Sequence, residues 1–245
     1  ILFLSTPYDT ESVDFLDKLG VSAFKISSSD LTNHILLRYV AKKNKPVILS
    51  TGLSDFKEVK ETVNLFKKIR KIDNLILMQT TSNYPTPPED VNLMVIPSYA
   101  KNFKIPIGFS DHTDDVVASI GAITLGASIV EKHFTLSRKL SGPDQSSSLE
   151  PNELEKWIKN IRNLEKCLGN STKNITNSDK KNLSMRKILV IKPMMKHTII
   201  KNQHLIPMRG NKSGIPALEN NLKKIIGKKI QTNISTNTQF SWKMI

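Results

Sequence analysis

Short apolar runs and amphipathic helical stretches alternate through the first two thirds of the chain, and this alternation constrains the fold more than any single motif. The runs lie at residues 2–4, 23–26, 46–49, 75–78, 106–109 and 128–134. Between them the helix signals are explicit. Asp55-Phe56-Lys57-Glu58 reads as a capping box, opening a helix in which Val59, Val63, Phe66 and Ile69 recur at helical spacing. Thr113-Asp114-Asp115 places a cap and two acids at the start of a helical stretch over residues 116–125, where they suit the dipole. Pro151 fits a first helical turn; Leu154, Trp157, Ile158, Ile161, Leu164 and Leu168 form one stripe, and Gly169 ends it. Strict β–α alternation means a parallel sheet, open or closed.

Polar residues follow every apolar run: Ser5-Thr6, Lys25 with serines 27–29, Ser50-Thr51, residues 80–84, residues 110–112, then Glu131 and His133. An open sheet gathers its site at one switch point, whereas a barrel turns every strand end to one mouth. Six decorated ends in succession favour the barrel. A (β/α)8 TIM barrel needs eight strands, so the expectation is an α/β barrel lacking its first two βα units. Two histidines, His112 and His133, end successive runs on either side of one helix. Parallel neighbours bring both to one edge of the sheet, and two imidazoles there begin a divalent metal site with positions open to substrate. The alternative is that each histidine caps its own strand.

After Gly169 the texture changes. Residues 170–185 are polar and read as a linker, and residues 186–245 read as a small β-rich domain with β-like runs at 188–191 and 198–200. Residues 1–169 are then the partial barrel. A basic turn, Pro207-Met208-Arg209-Gly210-Asn211-Lys212-Ser213-Gly214, is the most distinctive part of the small domain. The net charge is +14. Its lysines run along helices, as at Lys57, Lys60, Lys67 and Lys68, and aromatics are sparse, so solvated helix faces are expected in preference to nucleic acid. A positive field also suits an anionic substrate. The single Cys167 excludes an intrachain disulfide framework. No apolar run is long enough to span a membrane, the start does not read as a signal peptide, and a cytoplasmic location with no membrane partner is expected.

An ordered set of strings now carries a resemblance. Ser5-Thr6-Pro7-Tyr8-Asp9, Phe24-Lys25-Ile26-Ser27-Ser28-Ser29-Asp30, Leu49-Ser50-Thr51-Gly52-Leu53 and Thr81-Ser82-Asn83-Tyr84-Pro85-Thr86-Pro87 come first. Gly108-Phe109-Ser110-Asp111-His112-Thr113, Glu131-Lys132-His133-Phe134-Thr135, Gly142-Pro143-Asp144 and Ser148-Leu149-Glu150-Pro151 follow. Together they resemble the sialic acid synthase family, and the C-terminal domain is similar, chiefly at Arg209-Gly210, to that family's antifreeze-like (SAF) domain. Thr86-Pro87 after Tyr84-Pro85 looks more like the neuraminate or legionaminate branch than the pseudaminate branch.

The resemblance implies condensation of phosphoenolpyruvate with an N-acetylated hexose, N-acetylmannosamine or a relative, to a nine-carbon 2-keto sugar acid with release of phosphate. It implies Mn2+ or Mg2+ on His112 and His133. It places Thr6, Lys25, Ser28, Ser50, Ser82 and Ser110 on phosphoenolpyruvate, whose two anionic groups need a cation and several hydroxyl or N–H donors. Lys25 has two other readings, a solvated strand-end lysine and a Schiff base. Tyr84 and Asp144 match positions facing the sugar or the intermediate; packing and a turn cap are their alternatives. Asp30 stands where the family has a glutamate that shuttles a proton, one methylene shorter. Arg209 matches an arginine lent to the partner's barrel in a domain-swapped homodimer, against a plain basic turn. The rival functions are a non-catalytic remnant of such a synthase and a basic polyanion-binding protein.

Overall fold

Five parallel strands in sequential order carry the first of two units, Ile1–Gly169, in a computed structural model that describes all residues 1–245. The chain runs α1 (Thr10–Leu19), β1 (Phe24–Ile26), α2 (His34–Lys42), β2 (Val47–Ser50), α3 (Phe56–Ile69), β3 (Leu75–Thr80), α4 (Val95–Phe103), β4 (Ile107–Asp111), α5 (Val117–Thr124), β5 (Ile129–Lys132) and α6 (Pro151–Leu168). Residues 2–4, expected as a strand, have no strand partner and are exposed. The sheet therefore has five strands rather than six. It is a curled, half-barrel sheet, and β1 and β5 each have one neighbour.

Strand alternation sorts the side chains. Phe24, Ile26, Val47, Leu49, Leu75, Leu77, Ile107 and Phe109 face the helices and are buried with Val59, Val63, Phe66 and Ile96 in one core. The intervening residues face the concave side. There Ser50, Met78, Gly108 and Ile129 stand in register across four strands, followed by Thr80, Ser110 and Glu131. A Cβ on Gly108 would lie 2.2 Å from Met78 Sδ and 2.9 Å from the Ile129 carbonyl oxygen, so only glycine lets Met78 cross this row.

The helices begin as the sequence dictates. Asp55 and Glu58 complete a reciprocal capping box at α3. At α5 the Asp115 carboxylate accepts from Val117 N at 2.8 Å. Along α6 the expected stripe is only partly covered: Ile161 is buried, while Ile158 and Leu168 are exposed. The packed flank of α6 rests on α5.

The second unit, Asn170–Ile245, is an antiparallel sheet of order β7–β6–β8, with β6 at Lys187–Ile191, β7 at Leu205–Arg209 and β8 at Thr238–Gln239. Its core is Leu189, Ile191, Ile200, Ile225, Ile230, Ile234 and Phe240. Two helices are short, α7 (Asn177–Lys181) within the stretch expected as a linker and α8 (Glu219–Ile225). The run at 198–200 makes an isolated bridge, Ile199 to Lys229, instead of a strand. Gly210 packs on Ile188, whose Cδ1 would lie 2.0 Å from an added Cβ, and this close approach shapes the basic turn after Arg209. No helix is long and apolar enough to cross a membrane.

Gly108→Ala is expected to destabilise the first unit by about 1–3 kcal/mol, because the methyl group meets the backbone of β5 as well as a movable side chain. Urea unfolding measures it; an unchanged midpoint would mean that β4 and β5 are not locked in this register.

Candidate active site

The concave face of the sheet and its strand ends form a cleft of about 510 Å³. Lys25 comes from β1, Ser50 from β2, Ser110 from β4, and Thr6 and Ser28 from neighbouring loops; all line it. So do Ser82 and Tyr84 after β3, His112 after β4, His133 after β5, and Asp144. Ten of the twelve residues singled out in the sequence are thus brought to one mouth. Arg209 lies in the second unit, exposed at the end of β7. Asp30 departs from expectation: its carboxylate does not line the cleft. It accepts from Asn33 Nδ2 at 2.9 Å, Ser27 Oγ at 3.3 Å and Ser29 Oγ at 3.4 Å, tying together the short turn after β1. The shorter side chain is used up by its own turn.

The rim is a continuous polar line. Lys25 Nζ donates to Ser50 Oγ at 2.8 Å and lies 3.5 Å from Glu131 Oε2. Ser110 Oγ donates to Glu131 Oε1 at 2.7 Å and sits 3.3 Å from His112 Nε2. Lys25 and Glu131 belong to the two edge strands; in a flat sheet their backbones would stand about 19 Å apart, at about 4.8 Å per strand. The contact is possible because the sheet curls. Glu131 had no assigned role in the sequence, yet the signal was there. It is two residues before His133, so both leave the same face of β5.

The two imidazoles lie together, their ring centroids 5.2 Å apart and their planes at 82°. Tyr84 covers both, its ring 4.2 Å from that of His112 and 5.3 Å from that of His133. Burial raises the phenol's affinity for its proton, helped by Asp144 and Glu131. Asp144 Oδ2 is 3.9 Å from His133 Nδ1. His112 Nδ1 is 2.8 Å from the Thr81 carbonyl oxygen, an atom that only accepts, so the proton of the neutral ring belongs on Nδ1 and the free pair of Nε2 faces Ser110 and the cleft. Burial, then the neighbouring His133, pulls His112 below the ordinary histidine range, outweighing the Thr81 bond. A neutral, tautomer-fixed imidazole with a backbone-anchored second nitrogen is the arrangement metal ligation requires. No group of three or more His, Cys, Asp or Glu is arranged to hold a metal, so a cation here would need water or substrate oxygens as well.

Behind the cleft, on the helix side, Asp111 and Lys132 pair at 3.1 Å and are almost wholly buried. They are cross-strand partners, as Ser110 and Glu131 are on the concave side. Asp111 also accepts from Thr113 N and Thr113 Oγ1, each at 2.8 Å, and from Ser119 Oγ, whose oxygen receives Trp157 Nε1–H at 3.2 Å. Lys132 donates to the Thr113 carbonyl oxygen. This knot clamps the backbone on both sides of His112 and sets the end of β5 that leads to His133. A larger groove, about 620 Å³, lies by residues 85–88 and 113–118, and no imidazole, lysine or arginine lines it.

Lys132→Ala is expected to cost about 3–5 kcal/mol, because it strands a buried carboxylate. Chemical unfolding of the single variants and of Asp111→Ala/Lys132→Ala measures it, with the double variant losing less than the sum. The His112 shift gives a pH dependence. Below the unfolded value of about 6.5 the unfolded chain takes up a proton that the folded chain does not. Stability of the metal-free protein therefore falls as pH drops through and below that value. In His112→Asn that slope should shrink; an equal slope in both proteins would place the titration elsewhere.

Residues 1–173 match the NeuB family model. The N,N'-diacetyllegionaminic acid synthase of Campylobacter jejuni is 42% identical over 89% of this chain and 66% of that protein. The N-acetylneuraminate-9-phosphate synthase of Homo sapiens is 34% identical over 96% of this chain and 65% of that protein. Among solved structures, the N-acetylneuraminic acid (sialic acid) synthetase of Leptospira borgpetersenii superposes with a TM-score of 0.69 at 35% identity, covering 75% of this chain and 64% of that one. The chain thus spans just under two thirds of the length of each of these three proteins.

Proposed function

The chain belongs to the NeuB family, and from that premise we propose that its cleft condenses phosphoenolpyruvate with an N-acetylated amino sugar to a nine-carbon 2-keto sugar acid, releasing phosphate. The observation that carries the reading is the convergence of Lys25, the hydroxyls of Thr6, Ser28, Ser50, Ser82 and Ser110, both imidazoles and Asp144 on one mouth. Lys25, held by Ser50 and Glu131, supplies the cation, and the hydroxyls supply donors for the phosphate and carboxylate oxygens. Thr86-Pro87 after Tyr84-Pro85 supports a neuraminate- or legionaminate-type sugar.

His112 and His133 would hold a divalent cation, Mn2+ or Mg2+, which when bound acts as a Lewis acid on the aldehyde oxygen. The remaining work falls to side chains. The cradle holds the enol carbon of phosphoenolpyruvate against the aldehyde carbon, and their bond forms as the carbonyl π pair moves to oxygen, which takes a proton. Water adds to the cationic pyruvyl carbon and gives up its proton; the tetrahedral intermediate then expels phosphate. Glu131 is the carboxylate nearest the cradle and accepts the water proton. Tyr84 and Asp144, on the imidazole side, orient the sugar hydroxyls. Asp30 serves the turn that presents Ser28, not proton transfer. The small unit is read as SAF-like, and Arg209 as a residue lent to the sugar site of a partner subunit in a domain-swapped homodimer.

The test is incubation with phosphoenolpyruvate, Mn2+ and N-acetylmannosamine or its 2,4-diacetamido analogue, following phosphate and the nine-carbon acid by mass. Equal amounts of both products are expected. Lys25→Ala should raise the KM for phosphoenolpyruvate by about 10–100-fold, the worth of one charge-assisted bond, with the sugar KM little changed. A pyruvyl adduct on Lys25 trapped by borohydride, or phosphate released without aldehyde, would contradict the reading. For the swapped dimer, mixing inactive Arg209→Ala with inactive His112→Asn should restore part of the activity, since one cleft then holds both native residues. Failure of a demonstrated mixed dimer to do so would remove Arg209 from the site.

A further inference from the structure

The positive charge is not spread evenly. Residues 170–245 hold 15 of the 36 Lys and Arg but only 2 of the 22 Asp and Glu, Asp179 and Glu219, a net +13 of the whole +14. Residues 1–169 are nearly balanced, with 21 cations against 20 acids. A uniform lysine-rich composition does not produce this; the second unit has been emptied of carboxylates. All fifteen cations are exposed, and Lys223, 3.9 Å from Glu219, is the one that has a carboxylate partner.

Part of this charge is arranged around exposed aliphatic side chains. Residues 197–200 and 227–230 are bonded as a two-stranded ribbon: His197 N–H to the Ile230 carbonyl, Ile200 N–H to that of Lys228, and Gly227 N–H to that of Ile200. Ile199 and Lys229 are bridge partners, so their side chains leave one face, while Ile200 and Ile230 are buried on the other. Along and beside these two segments, exposed Met195, Ile199 and Ile226 lie within a few residues of exposed Lys196, Lys201, Lys223, Lys224, Lys228 and Lys229 in the sequence. Single-stranded nucleic acid would call for stacking rings, and here Phe240 is buried and Trp242 alone is exposed. Bidentate reading of phosphates would call for arginine, and only Arg186 and Arg209 are arginines. Lysine point charges around aliphatic side chains match a lipid headgroup layer, where ammonium groups meet anionic headgroups and short apolar side chains enter the interface.

We propose that the second unit is a peripheral docking surface for an anionic lipid bilayer, centred on the ribbon at residues 195–201 and 226–230. This departs from the expectation of no membrane partner, leaves the lysines on the helix faces of the first unit as they are, and does not depend on the condensation reading. The unit lies on the membrane without spanning it, and its attraction is electrostatic, hence screened by salt.

The experiment is co-sedimentation of the full chain with vesicles of phosphatidylcholine, alone or with about one-quarter phosphatidylglycerol. Binding to the anionic vesicles only, abolished by about 0.5 M NaCl, is expected. Replacing Lys223, Lys224, Lys228 and Lys229 by Gln should weaken binding by about 100-fold or more. Ile199→Ser/Ile226→Ser, which leaves the charge unchanged, should weaken it several-fold. Circular dichroism checks that both variants stay folded; their altered positions are all exposed. No preference for anionic vesicles, full binding by the lysine variant, or equal binding by the isoleucine variant would overturn the proposal. So would tighter binding to a short DNA duplex than to the vesicles, which would make the surface a nucleic-acid site.

Discussion

Everything at the mouth of the sheet depends on one contact, the approach of Lys25 on the first strand to Glu131 on the last. Five parallel strands with helices on one side are compatible with a flat, twisted sheet, in which these two residues would never meet. Curling brings them within ion-pair distance and places Ser50, Ser110 and His112 along the line between and beside them. The pair is half open to water, so its own contribution to stability is small. Its importance is geometric: a cation fixed by a hydroxyl on one side and a carboxylate on the other is oriented before any anion arrives, and preorganised charge is what a phosphate-bearing substrate needs.

The opposite face of the same strands holds the complementary device. Ser110 and Glu131 turn inward, and their neighbours Asp111 and Lys132 turn outward into a dry environment where an ion pair survives only when its other bonds are made. Thr113, Ser119 and the Thr113 carbonyl make them. Two consecutive residue positions on each of β4 and β5 therefore face the cleft and the packed interior in alternation. This explains why the histidines, one residue further along, are held close although each stands on its own loop.

Much of this was legible in the sequence because strand alternation and helix capping are local. The α3 box at Asp55 and Glu58 and the acid at the start of α5 are readable from four residues each, and they formed as expected. Most of the cleft residues were legible because they stand at or just after an apolar run; Asp144 does not, and only the family resemblance pointed to it. What failed was whatever depends on non-local partners. Residues 2–4 have a strand's composition but pair with nothing, and the α6 stripe is covered only where α5 reaches it. Asp30 looked like a proton shuttle by position, and only the placement of Asn33, Ser27 and Ser29 shows it satisfied within its turn. Glu131 was overlooked because its significance lies in meeting a residue on the far edge strand. The charge asymmetry was legible throughout: the boundary after Gly169 is drawn from the sequence, and 20 of the 22 carboxylates lie before it.

The central claim is that the lysine–hydroxyl cradle and the paired imidazoles serve one substrate in one cleft. The most direct measurement is the 31P resonance of phosphoenolpyruvate titrated with the protein in the presence of trace Mn2+. Paramagnetic broadening of the bound phosphate signal is expected. In a His112→Asn/His133→Asn variant the broadening should vanish while phosphoenolpyruvate still binds through Lys25. Binding with no broadening in the unaltered protein, or broadening that survives loss of both imidazoles, would contradict a shared site.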